Sequence, residues 1–149
     1  MIFSNLTVDE NLTMGAYLQR DKEAIARNRE YVFGIFGRLK ERLRQTAGTL
    51  SGGEQQMLAM GRGLMQEPEV LMIDELSLGL APVLAQQLFL TLKTLRGQGL
   101  TIVLVEQNVH LALAMSDYTY VFAEGRISIR GQSDEVAKMD EVRKAYLGL

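Results

Sequence analysis

A serine, two glycines and a glutamate at positions 51–54 form the first group of residues whose types and spacing suit chemistry. Ser51 is a good helix N-cap, and Glu54 stands at the position that completes a capping box. Gly52 and Gly53 lie between them, although glycine costs up to about 1 kcal/mol per helical position relative to alanine. Two glycines leave the first backbone N–H groups of a helix uncovered, and those groups can bind an anion such as phosphate. The segment therefore indicates either an anion site or simply a flexible entry into a capped helix.

Two carboxylates form the second group, because Asp74 and Glu75 directly follow the four apolar residues 70–73. A continuous apolar run of this length predicts a strand of a parallel sheet that is buried on both faces. Open α/β sheets bind their ligands beyond the carboxyl ends of such strands. In an isolated strand, however, the same two residues would only begin the next loop. A second buried strand is predicted at Thr101–Val105, and it ends in polar residues that include Gln107.

Predicted helices alternate with the predicted strands along the chain. This alternation indicates an α/β fold. A helix is predicted from Ser51 to about Pro68, and another begins at Pro82 and ends at Gly97 or Gly99. The remaining expected elements are a short helix capped by Thr7 or Asp9, a long helix over 21–39, a connector over 42–49, a hairpin of strands 118–123 and 126–130, and two short helices over 133–139 and 140–147.

Composition narrows the possible functions. The 149 residues are 47% hydrophobic, which suffices for the core of one domain. The net charge of −2 predicts no basic patch, so nucleic acid is not expected as a partner. The sequence contains no cysteine, which excludes disulfides, thiol chemistry and a cysteine zinc site. No apolar run approaches the roughly 18 residues of a membrane span.

The combination of motifs resembles one protein family. LSGGEQQ, a helix and then VLMIDE together resemble the ATP-binding subunits of ABC transporters, with LSGGEQQ as their signature motif and VLMIDE as their Walker B strand. The chain is most similar to the subfamily that serves branched-chain amino acid uptake, on the segments FSNLTVDENLTMGAY, SLGLAP, LVEQN and AYLGL. The resemblance covers nearly the whole chain. It implies a partial P-loop NTPase domain of the ABC ATPase type, with the helical subdomain and signature helix in 1–66 and the remaining elements in 67–149.

The same resemblance implies roles for individual residues. Asp74 would order Mg²⁺ through water, and Glu75 would act as the general base for the attacking water. Gln107 occupies the switch position, where many ABC subunits have a histidine, and Leu76 replaces the proline that is usual after the catalytic glutamate. The residues implied to contact ATP that is bound by a second subunit are Leu50, Ser51, Gly52, Gly53, Glu54 and Gln55.

One motif of this class is not present. The phosphate-binding loop G-x-x-x-x-G-K-[ST] requires a Gly-Lys pair, and the 149 residues contain none. We therefore expect the C-terminal part of a nucleotide-binding subunit, whose parallel sheet lacks the P-loop strand. The sequence leaves open whether the chain was cut deliberately, comes from a truncated reading frame or is a gene fragment.

The resulting expectation is an incomplete ATPase subunit of an ABC importer that uses ATP and Mg²⁺ to drive uptake of branched-chain amino acids. Its expected partners are a second ATPase subunit, identical or different, and membrane permease subunits, with the protein peripheral on the cytoplasmic face of the plasma membrane. One alternative is a non-catalytic interaction module that donates its signature face to a complete ATPase. Another is a non-transport ABC protein that acts on DNA or ribosomes.

Overall fold

The computed structural model of the chain describes residues 2–142 and residue 144, which form two compact units. The first unit is built from the chain up to Leu71 and from Leu78–Ile102. The second unit is built from Met72–Ser77 and from the chain after Val103. The boundary between the units passes through two strands, β1 (Val70–Asp74) and β2 (Thr101–Val105).

Helices make up most of the first unit. They are α1 (Val8–Gly15), α2 (Lys22–Ile35), α3 (Gly37–Glu41), a 3₁₀ turn (Ala47–Thr49), α4 (Gly52–Leu64) and α5 (Pro82–Gly97). Apolar side chains from these helices form the core, with Leu12, Val32, Leu39 and Leu58 fully buried. The predicted bounds of α5 are confirmed, because Pro82 occupies the first turn and the helix ends at Gly97.

The start of α1 is determined by a capping box. Thr7 is the N-cap, and its hydroxyl accepts from the backbone N–H of Glu10, whose carboxylate in turn accepts from the Thr7 backbone. The sequence left Thr7 and Asp9 as alternative caps. Asp9 instead forms an ion pair with Arg29 of α2, so the two acidic residues of the first turn have different partners.

The single long helix expected over 21–39 is wrong, because the chain leaves helical geometry at Phe36. Its φ is −120° and its ψ is 65°, and α3 begins at the next residue, Gly37. Asp21 caps the start of α2 as its spacing predicts. Glycines at 34 and 37 lower the helix propensity on both sides of the break. Phe36 is only 3% exposed, so the break turns an aromatic side chain into the core.

The strands form two separate pairs. β1 and β2 form a parallel pair, and β3 (Tyr118–Ala123) pairs antiparallel with β4 (Arg126–Gln132). The β3–β4 register shifts between Val121 and Phe122. Within the described residues, no ladder joins β2 to β3.

The expectation that β1 and β2 are buried on both faces is wrong for this chain. Alternate residues of both strands are exposed, including Met72 at 76% and Val105 at 56%. A parallel strand is buried on both faces only where other layers cover both sides of its sheet. In the described part of the chain, one face of each strand therefore remains open to solvent.

The second unit also contains α6 (Val109–Met115), α7 (Ser133–Val136) and α8 (Asp140–Val142). Leu113, Val136 and Val142 form its small core. The hairpin is confirmed, although β4 runs two residues beyond its predicted end and α7 is shorter than predicted. The remainder of the helix predicted over 140–147 and the AYLGL segment lie largely outside the described residues.

Gly15→Ala is expected to destabilise the first unit, because α1 and α4 approach each other closely there. An alanine Cβ at this position would lie 2.3 Å from the backbone oxygen of Arg62. Overpacking of this kind costs about 1–3 kcal/mol, which urea unfolding measures directly. The matched control is Gly34→Ala in α2, where nothing lies within 4 Å of the added Cβ. Equal loss of stability in both variants would contradict the close approach.

Candidate functional site

The helix start at Ser51 has the predicted capping box. The Oε2 atom of Glu54 accepts from Ser51 N at 3.0 Å and from Ser51 Oγ at 2.8 Å. In return, the Glu54 backbone N–H donates to Ser51 Oγ. The hydrogen bond from the Ser51 hydroxyl is the largest effect that lowers the pKa of Glu54, and Arg42, whose Nε lies 3.1 Å from Glu54 Oε1, lowers it further. The carboxylate of Glu54 therefore stays ionised at this helix start.

The two glycines of this helix start have different surroundings. Gly52 is exposed, and the nearest atom to an added Cβ would be Leu80 Cδ2 at 3.5 Å, an ordinary contact. Gly53 is buried, and an added Cβ would lie 3.1 Å from Leu84 Cδ1 of α5. Packing thus explains a small residue at position 53. It does not explain one at position 52, where the backbone of the first helical turn faces solvent.

Leu50 and Gln55 complete the segment that the sequence singles out. The side-chain Nε2 of Gln55 donates to the backbone oxygen of Leu50 at 3.0 Å. Leu50 itself is buried at 5% exposure. The side chains of both residues therefore stabilise the turn into α4.

Glu75 has an unusual backbone conformation at the exit of β1. Its φ is +50°, a left-handed value that costs a non-glycine residue about 1–2 kcal/mol. Conformations of this kind persist only where neighbouring structure determines them, and they concentrate at functional sites. Here the Glu75 backbone N–H donates to Val105 O at 2.8 Å, which ties the residue to the end of β2.

The structure brings the two predicted catalytic residues together. Gln107 Nε2 donates to Glu75 Oε1 at 2.6 Å, across 32 positions of sequence. The amide orients one carboxylate oxygen without neutralising it, since glutamine has no charge. A carboxylate at the exit of a parallel strand, oriented in this way, can accept a proton from a nearby water.

A second carboxylate at the same place was not identified from the sequence. Glu106 Oε1 accepts from the backbone N of Ser77 at 2.8 Å, and its Oε2 accepts from Ser77 Oγ at 2.7 Å. The sequence signals were that polar residues follow β2 and that Glu106 lies in the segment LVEQN, and neither gives the residue a partner. No local spacing relates position 106 to position 77, so this contact could be found only in three dimensions.

Asp74 is the last residue of β1 and is exposed. No group of three or more His, Cys, Asp or Glu side chains that could hold a metal occurs among residues 2–142 and 144. Mg²⁺ usually binds one or two protein carboxylates and completes its shell with waters and substrate phosphates. An exposed carboxylate beside Glu75 fits that mode of binding and does not fit a cage made only of protein ligands.

The predicted site residues are divided between the compact units. Leu50 to Gln55 belong to the first unit, whereas Asp74, Glu75 and Gln107 belong to the second. Within the described portion of the chain, none of the helices has the length and apolar character needed to cross a bilayer.

Comparison with known proteins places the sequence among ATP-binding cassettes. Residues 1–77 match the family model described as ABC transporter. The chain is 49% identical over 147 residues to the high-affinity branched-chain amino acid transport ATP-binding protein BraG of Pseudomonas aeruginosa, covering 99% of this chain and 63% of the relative. It is 40% identical to the probable branched-chain amino acid transport ATP-binding protein LivF of Archaeoglobus fulgidus, with the same two coverages. The chain thus spans just under two thirds of the length of these relatives.

Solved structures agree with the sequence comparison. An ATP-binding cassette of an ABC transporter in its ADP conformation superposes with a TM-score of 0.80 at 26% identity, covering 98% of this chain and 64% of that one. A component of an ABC transporter complex from Clostridium perfringens superposes with a TM-score of 0.81 at 25% identity, covering 100% of this chain and 60% of that one. The expected ABC ATPase fold is confirmed by these likenesses.

Proposed function

Since the chain belongs to the ABC transporter family, we propose that it is part of an ATP-hydrolysing subunit that powers import of branched-chain amino acids. The observation that carries the proposal is the Glu75 carboxylate, which Gln107 orients at the exit of a parallel strand. The names of the BraG and LivF relatives support the class of substrate.

In this proposal the residues of the second unit perform the hydrolytic step. Glu75 accepts a proton from the attacking water as general base, and Gln107 fixes the position of its carboxylate. Asp74 would hold the Mg²⁺ that accompanies ATP, through a water molecule. When it is bound, the ion supplies charge neutralisation for the phosphates. This chain itself contributes two carboxylates to that step: Asp74, which would hold the ion, and the adjacent base Glu75.

The signature segment Leu50–Gln55 acts on a different nucleotide in this proposal. Ser51, Gly52 and Gly53 would contact the γ-phosphate of an ATP that is held by a second ATPase subunit, at the start of α4, since the N-terminus of a helix favours an anion. The sequence has no Gly-Lys pair, so the phosphate-binding loop must come from outside these 149 residues. The further partners are permease subunits, which would place the protein at the cytoplasmic face of the membrane.

A second candidate function is an interaction module without hydrolysis of its own. One observation favours it: the signature helix has a complete capping box at its start and packs on α5, in a sequence that contains no Gly-Lys pair. Such a module would donate its signature face to a complete ATPase and would raise that partner's turnover.

The experiment that separates the two functions uses a completed protein, in which this chain is joined to a segment that carries G-x-x-x-x-G-K-[ST]. We expect release of phosphate from MgATP by the completed protein. Absence of turnover, together with stimulation of a complete ATPase by the 149-residue chain, would favour the module instead.

The 149-residue chain alone is expected not to bind MgATP with micromolar affinity. The P-loop supplies most phosphate contacts in this class of proteins, and the sequence has no such loop. Isothermal titration calorimetry measures the binding directly, with the completed protein as the positive control. A micromolar dissociation constant for the chain alone would contradict the prediction.

A further inference from the structure

We propose that Glu106 is a positioning residue of the hydrolytic site, which fixes the turn that contains Glu75. The inference rests on the function proposed above, because it concerns the same site. It assigns a role to a carboxylate that lies in the segment LVEQN but to which neither the sequence nor the resemblance gave a function.

Three consecutive residues at the exit of β2 contact the turn after β1. Val105 accepts from the Glu75 backbone N–H at 2.8 Å. Gln107 donates to the Glu75 carboxylate at 2.6 Å. Between them, Glu106 accepts from both the backbone N and the hydroxyl of Ser77, at 2.8 and 2.7 Å. The turn is therefore fixed on both sides of Leu76.

Leu76 explains why fixing Ser77 also fixes Glu75. Its side chain is 1% exposed, so the residue between the two contacts is buried. The left-handed φ of Glu75 is unfavourable for a side-chain-bearing residue, and the neighbouring residues must impose it. With Leu76 buried and Ser77 bound to Glu106, the backbone that follows Glu75 has little freedom to relax into an ordinary conformation.

The chemistry of the contact suits a carboxylate. Each oxygen of Glu106 accepts from one donor of Ser77, and hydrogen bonds to an ionised acceptor are shorter and stronger than neutral ones. A glutamine at this position would keep one acceptor, and its amide could donate to the serine oxygen instead. Glu106→Gln is thus a conservative variant, whereas Glu106→Ala removes both hydrogen bonds.

The first experiment measures the contact without any reference to ATP. Hydrogen–deuterium exchange by mass spectrometry on the 149-residue chain should show exchange of the Ser77 amide about tenfold faster in Glu106→Ala, because an opened hydrogen bond loses its protection. Glu106→Gln should retain most of the protection. Glu135→Ala, which removes an exposed carboxylate of α7 in the same unit, is the control. Unchanged exchange in Glu106→Ala would overturn the proposal.

The second experiment measures the consequence for turnover in the completed protein. Glu106→Ala should lower kcat by about tenfold or more with KM for ATP nearly unchanged, since only the position of the base is affected. Glu106→Gln should restore most of the turnover. In a Glu75→Gln background, Glu106→Ala should have no further effect on kcat, because the two residues act as one unit. A purely structural role would lower stability and the active fraction in every background.

The outcomes separate the two proposals. If the completed wild-type protein hydrolyses ATP and Glu106→Ala retains its kcat, the positioning role is overturned and the proposed function stands. If the wild-type protein shows no turnover while exchange at Ser77 responds to Glu106→Ala, the proposed function fails and the positioning role fails with it. If Glu106→Ala does not fold, Ser77→Ala is the second variant. It removes only the hydroxyl hydrogen bond to Glu106 and should lower kcat by a smaller factor.

Discussion

In the completed protein, Glu75→Gln is expected to lower ATP turnover by about 10²–10⁴-fold, the usual effect of removing a general base. The substitution keeps the shape of the side chain and an oxygen that can still accept from Gln107 Nε2. It removes only the ability to take a proton from water. The loss should therefore appear in kcat, with binding of MgATP left intact.

Phosphate release at saturating ATP measures this loss, and calorimetry on the same protein measures binding. The control is Glu69→Gln, because Glu69 is an exposed glutamate just before the start of β1. A reduction of less than tenfold would show that Glu75 is not the base. Equal losses for the two variants would point to a general effect of charge.

The second large effect is expected in the 149-residue chain itself, which should be poorly stable and should self-associate. Apolar side chains are exposed on three strands, with Met72 at 76%, Val105 at 56% and Phe122 at 66%. Among the described strands, β2 pairs only with β1, and β3 pairs only with β4. Unpaired strand edges beside open apolar faces favour association with other chains. A domain is stable by only about 5–15 kcal/mol. Leaving these apolar side chains exposed forgoes burial energy that is a large share of that margin.

Multi-angle light scattering against concentration should show dimers or larger species, and thermal unfolding should occur below about 60 °C, within the ordinary mesophilic range. Met72→Lys places a charge on an open strand face and should reduce association. Met139→Lys, at a residue that is 39% exposed beyond α7, is the matched control and should have little effect. A monomer with a cooperative transition above that temperature would contradict the expectation, and it would strengthen the interaction module as the function.

Local signals explain what the sequence predicted well. The capping box at Ser51 and Glu54 depends on residues three positions apart, and the structure shows it. The start of α5 at Pro82 likewise follows from the fixed φ of proline. The position of β2 followed from a short apolar run, and its bounds are as predicted.

Features that depend on tertiary contacts were missed or predicted wrongly. The break at Phe36 interrupts a segment whose apolar spacing is helical throughout, because burial of the aromatic ring outweighs continuity of the helix. Strands β1 and β2 read as fully buried from composition, but burial depends on which layers are present. The contacts of Glu106 with Ser77 and of Gln107 with Glu75 join residues about thirty positions apart, and hydrophobic periodicity contains no information about them.

The capping box at the start of α4 also has a consequence for the order of events at that helix. The Ser51 hydroxyl has a single proton, and in this structure it is donated to Glu54 Oε2. In the proposed function, a phosphate oxygen that reaches Ser51 must compete with the Glu54 carboxylate for that proton. Glu54 would still accept from the Ser51 backbone N–H and remain paired with Arg42. Transfer of the hydroxyl's hydrogen bond from Glu54 to phosphate would therefore leave both backbone hydrogen bonds of the capping box in place. Phosphate recognition would then change the partner of one proton without uncapping the helix.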